Sequence, residues 1–123
     1  MGYLSRVTES GTLALVGSGE YLPVMAELES SLIQSGPSLR YVQLATAAGQ
    51  ESVERLRYWE RIGKEQADRL GIDSIFLPIF TREDANNLEY ATLIHNSALM
   101  YMSGGDPHYL AETLMGTPLW DAI

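Results

Sequence analysis

The sequence contains no cysteine, which excludes disulfides, thiolate metal sites and cysteine nucleophiles within this chain. Positive charge is also scarce, with 8 Lys and Arg against 16 Asp and Glu and a formal net charge of −8. Phosphate backbones are bound by clustered Lys and Arg, so nucleic acid is not an expected partner. Arg55, Arg57, Arg61, Lys64 and Arg69 alternate with Glu51, Glu54, Glu60, Glu65 and Asp68. With Glu60 and Lys64, and Glu65 and Arg69, at i,i+4 spacing, this is the pattern of a solvated helix face. No apolar run approaches the ~20 residues that cross a bilayer, so no membrane span is expected. The segment Met1–Ser10 lacks a basic stretch followed by an apolar block, and Arg6 stands where a myristoylation pattern starting at Gly2 wants Ser or Thr. A secretory leader is therefore not expected, and the cytoplasm is the expected location.

What remains is the composition of a globular protein: 46% of residues are hydrophobic and 20% charged, which argues against disorder. A chain of 123 residues buries roughly two-thirds of the surface that its unfolded form exposes, enough for a core. Without a low-complexity linker or repeat, residues 1–123 read as a single α/β domain, expected to be the amino-terminal part of a longer one.

Strand and helix signals alternate along the chain. Thr12–Val16 is an apolar run closed by Gly17-Ser-Gly19, which suits a first, buried strand. Pro23 suits the first turn of a helix in which Met25, Leu28 and Leu32 recur at three and four, with a stop at Gly36-Pro37. Arg40–Ala45 reads as a second strand, ending in Thr46-Ala-Ala-Gly49. A long helix is expected from Glu51 to Leu70, with an apolar stripe of Val53, Leu56, Trp59, Gly63, Ala67 and Leu70 and a stop at Gly71. Ser74–Ile79 is a third strand, where Pro78 marks a sheet edge or the end of pairing. Thr81 and Asp84 are candidate caps for a helical region that breaks near Asn86-Asn87 and reaches Asn96. Ala98–Met102 is the fourth strand. Asp106-Pro107 starts a helix carrying Leu110 and Leu114, Gly116 ends it, and Thr117-Pro118 starts another.

Such alternation implies parallel strands joined by right-handed crossovers with helices on both faces, an α/β/α sandwich. The expected order is third, second, first, fourth. First and fourth strands then meet where the winding reverses, the place where open α/β sheets bind ligands. Gly17-Ser-Gly-Glu20 and Ser103-Gly-Gly-Asp106 would face one crevice there. The apolar run Ala98–Met102 breaking into two glycines and a cap is the most suggestive stretch, because glycine lets a backbone N–H approach a bound group closely.

Gly17-Ser-Gly-Glu20 after the first strand, Leu44-Ala-Thr-Ala47 after the second and Ser103-Gly-Gly-Asp106 after the fourth resemble the amino-terminal half of peptidase family S51, which includes cyanophycinase and aspartyl dipeptidase. Thr117-Pro-Leu119 sits where that family has a similar helix start, and the resemblance runs from Gly11 to Ile123. It implies a flavodoxin-like fold of the class I glutamine amidotransferase type, left incomplete here. It also implies a serine hydrolase acting on peptides or isopeptides with acidic side chains. In that family the nucleophile sits in a Gly-x-Ser-Ala-Gly elbow on the strand that would follow Ile123, and the histidine lies further on. No Gly-x-Ser-x-Gly occurs in this chain, so no catalytic residue is expected within it. The resemblance leaves it the glycine loop: N–H groups of Gly104 or Gly105 for an oxyanion, with Asp106, Gly19 and Glu20 lining the substrate site.

Each motif also has a plainer meaning. Gly104-Gly105-Asp106 can be a tight turn plus helix cap, and Gly17-Ser-Gly19 a turn packing strand against helix. A dinucleotide loop needs a third glycine where Leu22 stands, so no nicotinamide or flavin cofactor is expected. Glu20 either lines the crevice or caps a helix start. His95 reads as a surface or satisfied histidine. His108 and Glu112, with Asp106 nearby, lack a third metal donor and read as an exposed polar face, so no metal is expected. Ser103 with His108 lacks an orienting third group for nucleophilic catalysis. Two further functions stay open: a naturally short, noncatalytic assembly module that forms a homodimer, and a small-molecule binder using the crevice without chemistry. Truncation and assembly alike predict self-association through an uncovered sheet edge beside Leu119, Trp120 and Ile123.

Overall fold

The computed structural model describes residues 11–33 and 40–123. Three parallel strands, β1 (Arg40–Leu44), β2 (Asp73–Leu77) and β3 (Leu99–Met102), form a sheet in the order β2-β1-β3. The helices are α1 (Ala26–Ile33), α2 (Val53–Leu70), α3 (Arg82–Ala85), α4 (Leu88–His95), α5 (Pro107–Leu114) and α6 (Pro118–Ala122), with 3-10 turns at Pro23–Met25 and Thr46–Ala48. The α/β class with helices on both faces is as expected.

The sheet is nevertheless one strand short of the four expected. Residues 11–16 are described but form no ladder, and Leu13 and Leu15 are 80% and 88% exposed. The place expected for the first strand, between the second and fourth, is closed. Val42 aligns with Ile75 on one side and Met100 on the other, so β1 has both edges occupied. The second and fourth expected strands are therefore adjacent, and the first lies between neither of them.

Side chains on β1 alternate between two buried layers. Val42 and Leu44 join Leu77, Ile79, Ala85, Ile94, Leu114 and Leu119 under helices α3 to α6. Tyr41 packs on the opposite face with Tyr21, Ile33, Ala67 and Tyr101, against α1 and α2. Winding explains the layers. The α2 crossover carries the chain from β1 to β2, and the α3–α4 crossover carries it back past β1 to β3. Crossovers of one hand that run in opposite directions place their helices on opposite faces.

Local signals account for most boundaries. Ser52 caps α2 by accepting from the Arg55 N–H at 3.2 Å, and Gly71 ends it in the left-handed region at φ 72°. The stripe on α2 is buried at Gly63 and Ala67, whereas Val53 at its first turn is 61% exposed and outside the core. The solvated face of α2 exists, but its ion pairs are Glu51–Arg55, Arg61–Glu65 and Lys64–Asp68 rather than the two expected. Lys64 has an acid four residues away in each direction and uses the later one, while Arg69 donates to Gln66. Strand β2 is an edge strand and stops at Leu77, directly before Pro78. Thr81 and Asp84 cap α3 reciprocally, and Asn87 restarts the helix as α4. The expected stop at Gly36-Pro37 and the residues read for targeting signals lie outside the described residues. No helix among the described residues is long and apolar enough to cross a membrane.

Candidate functional site

Winding reverses between β1 and β3, so the crevice of this sheet opens at their carboxyl ends. Two segments meet there: the turn Thr46–Ala48 that follows β1, and Ser103-Gly104-Gly105-Asp106 that follows β3. The Ser103 N–H donates to the Leu44 carbonyl at 3.0 Å and the Asp106 N–H to the Ala47 carbonyl at 2.8 Å. These bonds hold the two loops side by side. Gly105 is required by this packing, because a Cβ at its position would lie 2.5 Å from the carbonyl carbon and oxygen of Ala47.

The switch point therefore lies between the second and fourth expected strands, not the first and fourth. The Gly17–Glu20 loop still reaches it. The Gly104 N–H donates to the Glu20 carboxylate, Gly104 N to Glu20 Oε2 being 3.2 Å. A Cβ on Gly104 would stand 2.9 Å from that oxygen, so glycine permits the approach.

What presents Glu20 is the residue beside it. Tyr21 is 3% exposed and holds φ at 63°, a conformation that costs a non-glycine residue about 1–3 kcal/mol. Its ring repays this by stacking on Tyr101, with centroids 4.2 Å apart, and by meeting Tyr41 and Trp59 at 6.3 Å each. Beneath this cluster lies Glu29 of α1, only 2% exposed. Its carboxylate accepts from the Tyr41 hydroxyl and, at 2.8 Å, from Gln66 Nε2 of α2. Gln66 Nε2 also donates to the Leu22 carbonyl at 3.2 Å, tying the start of α1 to α2.

Burial raises the pKa of all three phenols. Tyr21 and Tyr41 stand well above the ordinary tyrosine value, Tyr41 also through its hydrogen bond to Glu29. Tyr101 is pushed up to about 12, mainly by burial and with help from the Glu29 and Glu20 charges, against an opposing effect of the Tyr21 backbone. This aromatic and carboxylate layer was missed in the sequence. Its trace is the alternation Tyr41, Val42, Gln43, Leu44, in which the polar-tipped positions are as buried as the aliphatic ones.

Other candidate residues are occupied elsewhere. Asp106 Oδ1 accepts from the His108 and Tyr109 N–H groups at 2.9 and 3.2 Å, capping α5. Asp106→Ala is expected to lower stability by about 1 kcal/mol, read as a lower urea midpoint with an unchanged slope. Ser103 is 3% exposed, with its hydroxyl 3.4 Å from the Leu44 carbonyl it faces. His108 instead lies 3.0 Å from Glu112 on the exposed face of α5, where their side chains are 82% and 64% accessible. Ser103 and His108 are therefore not brought together as a nucleophile and base. Among the described residues no group of three metal-ligating side chains converges. His95 ends α4 on the surface. A groove of about 310 Å³ between α2 and β2 is lined by Gln43, Glu60, Lys64, Asp68, Asp73 and Phe76 among others, and contains none of the glycine-loop residues.

The chain is similar to a solved structure, the crystal structure of a peptidase from an acI-B1 Actinobacterium, at 55% sequence identity and a TM-score of 0.88. The match covers 92% of this chain and 48% of that one, so the chain spans about half the length of that peptidase. No protein-family model and no curated protein matches the chain.

Proposed function

We propose that this chain is the amino-terminal portion of a serine peptidase of the S51 type, inactive alone because it carries neither nucleophile nor catalytic histidine. The fully assembled enzyme hydrolyses peptide or isopeptide bonds in substrates with acidic side chains. The observation that carries this reading is the Gly104 N–H, which donates to an anionic oxygen at 3.2 Å in the crevice at the carboxyl ends of β1 and β3. A donor so placed suits the oxygen of a tetrahedral acyl intermediate, and loss of one such donor costs about 10²–10³ in rate. Similarity to a peptidase at 55% identity supports the same reading. The Gly105 N–H is the second donor, and Glu20 and Gly19 line the substrate site.

The first test is the intact mass of the product of the native gene, isolated from its own cell. The reading requires a mass clearly above 13.6 kDa and, in the added sequence, a Gly-x-Ser-x-Gly elbow whose Ser→Ala variant no longer hydrolyses dipeptides. A native product of 13.6 kDa overturns it.

A second reading, a noncatalytic module that self-associates, is favoured by one observation. Among the described residues the outer edge of β3 is unpaired, and Leu13, Leu15, Trp120 and Ile123 leave 80%, 88%, 46% and 42% of their surface exposed. Leu119, expected on that surface, is instead fully buried in the core. An open strand edge pairs readily with another chain, and exposed apolar side chains add to that tendency. Sedimentation velocity on the 123-residue chain is expected to show dimers or larger species, and a clean monomer at high concentration removes this reading.

A further inference from the structure

We propose that Glu20 is the resident occupant of an anionic-oxygen site at Gly104, so that a ligand carboxylate or acyl oxyanion binds there by displacing it. The proposal deepens the peptidase reading and rests on it for the ligand, since it assigns a competitive gate to the same crevice.

Four observations carry it. The bond between Gly104 N and Glu20 Oε2 is 3.2 Å long, longer than the ~2.7–2.9 Å of a strong charge-assisted contact, as befits an exchangeable partner. Among the described residues Glu20 makes no ion pair and no second hydrogen bond, so releasing it breaks one contact only. The neighbouring Gly105 N–H has no partner among the described residues, leaving an adjacent donor for an incoming oxygen. Finally, the backbone that carries Glu20 is anchored independently of it. Tyr21 is stacked in the aromatic layer, so the carboxylate can swing while its loop stays in place.

The electrostatics give the gate its sign. A carboxylate at Gly104 excludes a second anionic oxygen both by occupying the donor and by like-charge repulsion. A tethered group also competes at a high effective concentration. Glu20→Gln keeps an acceptor oxygen but removes the charge, and Glu20→Ala removes both.

The experiment is an NMR titration of the ¹⁵N-labelled 123-residue chain with acetate, comparing wild type, E20Q and E20A through the Gly104 and Gly105 amide signals. Acetate is expected to move both amides in E20A with an apparent affinity at least tenfold tighter than in wild type, and E20Q is expected to fall between them. Equal affinity in all three proteins overturns the gate. Absence of any response at Gly104 and Gly105 in E20A and in E20Q, with the Tyr21 and Tyr101 ring signals native, overturns the anion site itself. Acetate binding requires no turnover. A native gene product that proves catalytically inert therefore fails the peptidase reading and leaves the gate standing, while an active one with ungated acetate binding fails the gate alone.

Discussion

Stability measured by urea denaturation is expected to fall steeply once the pH rises above about 10, the ordinary phenol value, with about 8 kcal/mol lost by about pH 12. Tyr21, Tyr41 and Tyr101 all hold their protons more tightly in the folded state than in the unfolded chain. Below the unfolded value both states are protonated, and these groups leave stability independent of pH. Above it the unfolded chain ionises first and binds fewer protons, so each further unit of pH favours unfolding. One phenol contributes about 1.4 kcal/mol per pH unit and three together about 4. For Tyr101 the loss extends to about pH 12, whereas Tyr21 and Tyr41 keep contributing throughout that window. Over two such units the loss of about 8 kcal/mol is a large part of a total stability of about 5–15 kcal/mol. Tyrosinate absorbance and loss of far-ultraviolet circular dichroism should rise together. Ionisation of these three phenols near pH 10 with the dichroism still native would show that the aromatic layer is not closed to water.

The second large effect belongs to Gly105. Gly105→Ala puts a methyl 2.5 Å from the carbonyl of Ala47 and 2.8 Å from the Ala48 nitrogen. Neither neighbour is a flexible side-chain tip; both are backbone atoms held in the turn after β1. The residue also sits at φ 155°, toward the margin of what an L side chain adopts. Either the loop after β3 or the turn after β1 must move, breaking the 2.8 Å bond from the Asp106 N–H to the Ala47 carbonyl. The expected cost is about 3 kcal/mol, from overpacking together with backbone strain. Gly104→Ala is the matched control. Its methyl meets only the mobile end of Glu20, at 2.9 Å, so it should cost less than about 1 kcal/mol while releasing the Glu20 contact. Equal losses in the two variants, by urea denaturation, would mean that the tight packing between the loops does not control stability here.

Much of this architecture can be read in one dimension. The cap at Ser52, the stop at Gly71, the break at Asn86-Asn87 and the proline-started helices after Asp106 and Thr117 depend on interactions within a few residues, and sequence carries those directly. The strand at Thr12–Val16 fails for the opposite reason. Its apolar character is local, but the place expected for it, between the second and fourth strands, is closed because β1 pairs directly with β3. The pairs Glu60–Lys64 and Glu65–Arg69 fail more gently, because several acids and bases on one exposed face offer near-equivalent partners.

The candidate site divides along the same line. That Gly104, Gly105 and Asp106 end a strand and start a helix follows from their own conformational preferences. That Glu20, 84 positions away in the chain, turns its carboxylate onto the Gly104 N–H, and that Glu29 is buried under three tyrosines, follows from none of them. By itself the sequence determined the alternation of strands and helices, their caps and stops, the acidic surface and the absence of thiol chemistry, because each is a property of a residue and its near neighbours. Only the tertiary structure decided which strands are adjacent, where the crevice opens and which carboxylate occupies it. Those depend on hydrogen-bonding edges and buried faces that exist only once distant segments have packed together.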